Sequence, residues 1–239
     1  METTYLNNLS YEEKYDLAME VKTPAEILAV LAQDIEQQIR EAVARNENTT
    51  VEALVMLAKD VDIDVRCAVA ENKNTPVELL VVLAQDEEWW VRYAVARNEN
   101  TPVEALVMLA KDDELNVLCT VADNPKANDT IFQNLLCCDD LLLLEHIVLN
   151  PVASNNILNT IADSVGDAYI EGIVKGRTSE RNRAKEALEM IFSNVDMTNI
   201  PYEALDFIVE NDLVPDSMKD DDLYVLFKKD SKIKERAER

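Results

Sequence analysis

The sequence predicts an all-α solenoid: six two-helix repeats of constant length, with a helical cap at each end. Two observations carry this. Thr23-Pro24-Ala25-Glu26, Thr49-Thr50-Val51-Glu52, Thr75-Pro76-Val77-Glu78 and Thr101-Pro102-Val103-Glu104 recur with a period of twenty-six, and Asn46, Asn72, Asn98, Asn124 and Asn150 keep the same period. The chain of 239 residues holds only 3 Gly, too few for the tight hairpins of a sandwich or barrel.

Each unit reads as two short helices. Thr at the N-cap, Pro at the first position and Glu at the third predict a capping box opening the first helix. That helix, as in Leu106-Val107-Met108-Leu109-Ala110, is apolar nearly all round and therefore buried on most sides. The second helix carries a core stripe of the type Val65, Ala68, Val69. The recurring Asn is expected to stop it in a left-handed C-cap, which would explain how so few glycines suffice. Helices this short are unstable alone and must stack on their neighbours.

Three domains follow: an N-terminal cap helix (1–22), the solenoid (23–178) and a C-terminal helical cap (179–239). Ser10-Tyr11-Glu12-Glu13 is a further capping box, and Leu17-Ala18 matches Val43-Ala44, so 10–21 reads as a half-repeat. The units within 127–178 are degenerate: Cys138 and Ser164 replace the recurring Asp, Leu144 and Ile170 the recurring Arg. Beyond 178 the register is lost, and Ser179–Asn194, Pro201–Asn211 and Ser217–Arg239 read as three more helices.

The unit Asn-Thr-Pro-x-Glu-x-Leu-x-x-Leu-Ala-x-Asp-x-x-x-x-Val-Arg-x-Ala-Val-Ala-x-Asn resembles the bacterial leucine-rich repeat variant. Through Asp60…Val65-Arg66 and Asp86…Val91-Arg92 it also resembles the wider HEAT/armadillo group. The likeness is strong over 23–126, weak over 127–178 and absent beyond. It implies a right-handed superhelix that binds proteins, or in some members nucleic acid. It also implies that Asp34, Asp60, Asp86 and Asp112 bond between adjacent repeats with Arg40, Arg66 and Arg92. Some variant-repeat proteins carry an N-terminal cysteine cluster for an Fe–S centre. Here no cysteine precedes Cys67, so that cofactor is not carried over.

Chemistry-bearing motifs are sparse, and no cofactor or enzymatic activity is expected. Cys67, Cys119, Cys137 and Cys138 form no CxxC, and His146 has no ligand neighbour at metal spacing. His146 aligns with Ala42, Ala68, Ala94 and Thr120, which predicts a hydrogen-bonded core histidine. Asp112-Asp113 and Asp220–Asp222 fall at helix starts, where carboxylates are favourable anyway. The N-terminus lacks a signal-peptide pattern and no apolar run is long enough to span a bilayer, so a reduced, cytoplasmic setting is expected.

The net charge of −24 argues against direct binding of duplex nucleic acid and favours a basic protein partner. The informative positions are those that vary while the scaffold repeats: Gln38/Glu41/Arg45, Asp64/Cys67/Glu71, Trp90/Tyr93/Arg97 and Asn116/Cys119/Asp123, on one face of the second helices. Trp, Tyr and Arg together are the usual composition of an interface hot spot. The candidate protein-binding set is therefore Trp90, Tyr93 and Arg97 with Glu41, Asp64, Glu71 and Asp123; alternatively Trp90 covers a neighbouring repeat. Trp89 aligns with Ile63 and Leu115 and is expected to be partly buried. Two functions compete: an interaction scaffold using the second-helix face, and an acidic inhibitor or nucleic-acid mimic, of the immunity or phage anti-defence type, that blocks a basic cleft.

Overall fold

A computed structural model describes residue 6 and residues 8–192. Among the described residues there are thirteen helices and no strand. They are α1 (Tyr11–Met19), α2 (Ala25–Leu31), α3 (Gln37–Arg45), α4 (Val51–Leu57), α5 (Ile63–Glu71), α6 (Val77–Leu83), α7 (Trp89–Arg97), α8 (Val103–Leu109), α9 (Leu115–Asp123), α10 (Asp129–Leu135), α11 (Leu141–Leu149), α12 (Asn155–Ser164) and α13 (Ala168–Phe192). The chain divides into two compact units, 1–153 and 154–239.

In the first unit a seven-residue helix alternates with a nine-residue one, each pair displaced from the last by the period read in the sequence. α1 falls on the second-helix register and packs on α3, as a half-repeat should. The second helices α1, α3, α5, α7, α9 and α11 stack directly on one another; the first helices touch one another far less. Between the two layers lies an aliphatic core, in which Leu54, Val65, Ala68, Val69, Leu80, Val91, Val95, Leu106 and Val117 are fully buried. In the second unit, α12 packs on α13. α13 runs unbroken across positions 178 and 179, where the sequence register ends. The helices expected over Pro201–Asn211 and Ser217–Arg239 lie outside the described residues.

Two local expectations are corrected. The recurring Asn residues are not left-handed: their φ lies between −73° and −65° and their ψ between 123° and 131°. They recur because their side chains tie repeats together. Asn98 Nδ2 donates to the carbonyls of Ala70 (2.7 Å) and Asn72 (3.2 Å) in the preceding repeat, while its Oδ1 accepts the N–H of Asn100 (2.8 Å). Asn46, Asn72, Asn124 and Asn150 repeat this pattern. Each Asn thereby satisfies carbonyls that a helix end leaves open.

The Thr of the Thr-Pro motif does not cap the helix that follows it. Pro24, Pro76 and Pro102 occupy the N-cap position without a side-chain bond. The hydroxyls of Thr23, Thr75 and Thr101 instead donate to the carbonyls of Leu17, Val69 and Val95, each at 2.6 Å, closing the preceding helix. A full capping box forms only at Ser10/Glu13 among the described helices, and Thr50 caps α4 through Ala53 N–H.

Candidate functional site

The scaffold charges are internally paired. Arg66 Nε and Nη2 donate to the two carboxylate oxygens of Asp86 (2.8 and 3.0 Å), and Nη1 donates to the carbonyls of Asp60 and Val61 (2.9 and 3.3 Å). Arg40 holds Asp60 and Arg92 holds Asp112 in the same fork, and Lys14 takes the equivalent place on Asp34. Each arginine joins its own inter-helix turn to the carboxylate of the next repeat, the geometry in which a guanidinium is best matched. Burial pushes the carboxyls of Asp34, Asp60 and Asp112 up. Their bonds to Lys14, Arg40 and Arg92 and to backbone N–H groups outweigh it and hold all three below the usual carboxylate value. The ladder ends where buried Leu118 and Leu144 stand in the arginine register.

With the ladder used in folding, the variable second-helix face is what the repeats present differently. On α7, Trp90 is 53% exposed. Its ring stacks on Trp89 (centroids 3.8 Å apart), and Tyr93 lies edge-on to both at 6.2 and 6.4 Å. Trp89 is half-buried, as its alignment predicts. The position of Trp90 faces outward in the other repeats too, as Gln38, Asp64 and Asn116. The indole is therefore exposed yet held by two aromatic neighbours, which reduces the rotamer entropy lost if it is buried by a partner.

The charged candidates separate into two groups. Glu41 and Glu71 both bond Arg45, at 3.1 and 2.6 Å. Arg97 is exposed and has no hydrogen-bond or ion-pair partner among the described residues. It lines an open cleft of about 570 Å³ with Glu71, Lys73, Ala94, Asn98, Glu99 and Asn100. Asp64 is exposed beside Cys67, whose thiol burial and the charges of Glu71 and Asp64 push up to about 11.

Asp123 is bonded by His146 Nδ1 at 2.8 and 2.9 Å. His146 is thus not a core histidine; its side chain is 32% exposed. The alanines of its register, Ala42, Ala68 and Ala94, are buried, but the longer imidazole extends to the exposed carboxylate of Asp123 in the preceding repeat. Sequence reasoning also missed Leu142 and Leu149, which occupy the Trp90 and Arg97 registers on α11 and are 50% and 56% exposed. Their alignment signals this, but two leucines in an apolar run read as core.

Among the described residues no group of His, Cys, Asp and Glu could hold a metal ion, and no helix is long and apolar enough to cross a membrane.

Two stretches, 63–88 and 89–114, match the family model of the leucine rich repeat variant, which bears out the resemblance read from the sequence. Among solved structures, the chain is similar to a leucine-rich repeat variant with a novel repetitive protein structural motif. The two share 25% identity over 73% of this chain and 79% of the other, with a TM-score of 0.38. No curated protein matches the chain.

Proposed function

We propose that the protein is a non-enzymatic interaction module that binds a protein partner along the second-helix face, with Trp90 as the central anchor. The observation that carries this reading is the exposed, pre-stacked indole of Trp90 in a surface that is polar at the same register in the neighbouring repeats. The net charge of −24 and the exposed Asp64 and Asp123 nearby favour a partner that is basic over most of its contact surface. A rigid stack of helices suits the role, because anchors on helices are held more tightly than anchors on loops.

An acidic inhibitor of a basic nucleic-acid-binding protein is the second reading. One feature favours it: Glu87, Asp113 and Asp139 recur at the same register in three successive inter-helix turns. The test begins with a photo-crosslinking residue in place of Trp90 and mass spectrometry of what it captures in the native extract. Surface plasmon resonance with the purified partner then compares wild type and Trp90→Ala at two ionic strengths. The anchor reading expects a loss of about 2 kcal/mol or more, chiefly as faster dissociation. Unchanged dissociation removes the site from this face. A steep loss of affinity with salt that does not depend on Trp90 selects the inhibitor instead.

A further inference from the structure

A repeat protein contains its own comparison, and the last position of the second helix supplies one. In α3 that position is Arg45, whose guanidinium takes Glu41 one turn back at 3.1 and 3.2 Å and Glu71 of the next repeat at 2.6 Å. In α7 the same position is Arg97, and both acceptors have gone. Tyr93 stands where Glu41 would be. Asp123, one repeat further on, is the counterpart of Glu71, but its carboxylate is taken by His146. The other ionic groups of the cleft are occupied or repel anions: Lys73 is paired with Glu47 at 2.6 Å, Glu71 with Arg45, and Glu99 is exposed.

We infer that Arg97 is the seat for one carboxylate side chain carried by an otherwise basic partner segment lying across α7 beside Trp90. The inference rests on the reading of this face as the binding surface and adds its charge register. A wholly acidic segment is repelled by Glu71, Glu99, Asp64 and Asp123. A wholly basic one leaves the guanidinium unpaired as the interface dries, which costs more than a solvated charge does. A single Asp or Glu among lysines and arginines satisfies both demands and fixes the register in which the segment lies.

The probe is a displayed library of random linear peptides, selected on the full-length chain and counter-selected on Trp90→Ala. The expected binders are basic and carry one Asp or Glu at a fixed offset from an apolar or aromatic residue. Synthesised with an amidated C-terminus, such a peptide loses about ten- to a hundredfold in affinity when that acid becomes Asn or Gln. Arg97→Gln produces the same loss, and the two changes together lose little more than either alone. Arg97→Glu recovers binding to a peptide whose acid is replaced by Lys. Since Arg97 makes no bond among the described residues, thermal melting of its variants stays at the wild-type value.

Trp90-dependent peptides that lack the acid, or that ignore Arg97→Gln, overturn the carboxylate seat and leave the binding face standing. Loss of binding on amidation alone assigns the seat to a chain terminus and overturns the side-chain assignment. A library with no Trp90-dependent binder overturns the face and this inference with it.

Discussion

Replacing Arg66 with Ala is the most direct perturbation of the stack. The change removes four hydrogen bonds at once: two from Asp86 and one each from the carbonyls of Asp60 and Val61. Asp86, only 10% exposed in the intact pair, keeps the N–H of Glu88 at 3.0 Å but loses its countercharge. Breaking one side of a buried pair costs about 3–5 kcal/mol, and the residual solvent contact of both partners places Arg66→Ala near 3 kcal/mol. Equilibrium urea unfolding followed by circular dichroism measures it, with Asp86→Ala and the double variant completing a mutant cycle. The protein also supplies a control, since Leu118 and Cys138 occupy these two registers farther along. Arg66→Leu combined with Asp86→Cys should cost much less than Arg66→Ala, within about 1 kcal/mol of wild type, because no buried charge is left alone. A loss under about 0.5 kcal/mol for Arg66→Ala would mean that these pairs behave as surface ion pairs and do not hold the repeats together.

The other expectations follow from the same contacts. Asn98→Ala should destabilise by about 2 kcal/mol, and Asn98→Gly by no less, because Asn98 is extended and its amide is what matters; a well-tolerated Gly would restore the left-handed cap. The folded-state pKa values of Asp34, Asp60 and Asp112 are depressed, so their stabilisation is present above the unfolded value of about 3.9 and is lost as pH falls through the folded one. The melting temperature should hold from neutrality to about pH 5 and drop below about pH 4; a flat profile to pH 2 would refute the assignment. Exposed Cys137 should alkylate first near neutral pH. Burial above all pushes Cys67 and Cys119 up to about 11, so they should lag until the chain is unfolded, as mass spectrometry of timed samples would show.

What can be read from sequence is whatever the period exposes. The spacing of Val65, Ala68 and Val69 marks a buried face, which is a property of register. The period also shows that Asp and Arg recur together, but that they bond between repeats is what the resemblance to the HEAT-like group implies, and the forks of Arg40, Arg66 and Arg92 bear it out. The outward position of Trp90 is legible for the same reason: Gln38, Asp64 and Asn116 share its place. The Asn and Thr roles are not legible. An Asn that closes a helix by conformation and one that closes it by bonding a carbonyl 28 residues earlier have the same period, and only the packed stack separates them. Thr23 shows the same ambiguity, because a hydroxyl between two helices can serve either. His146 is misplaced by its alignment because a buried alanine register says that a small side chain is covered there, and nothing about where a large one goes.

The contacts between neighbouring repeats act at fixed sequence offsets: 20 for Arg to Asp, 26 and 28 for Asn to its two carbonyls. The stack can therefore be lengthened in whole repeats. A second copy of residues 75–100 spliced in after Asn100 meets the same donors and acceptors on both sides, whereas a shorter insertion within a helix shifts the contacts that span it out of register. Evolution and the engineer alike can lengthen such a protein by copying rather than by redesign. Copying this particular segment would also duplicate Trp90, Tyr93 and Arg97, with the second platform about 10 Å from the first. A partner with two suitable segments could then be held twice, and the lifetime of the complex would be set by copy number without any change in the chemistry of a single contact.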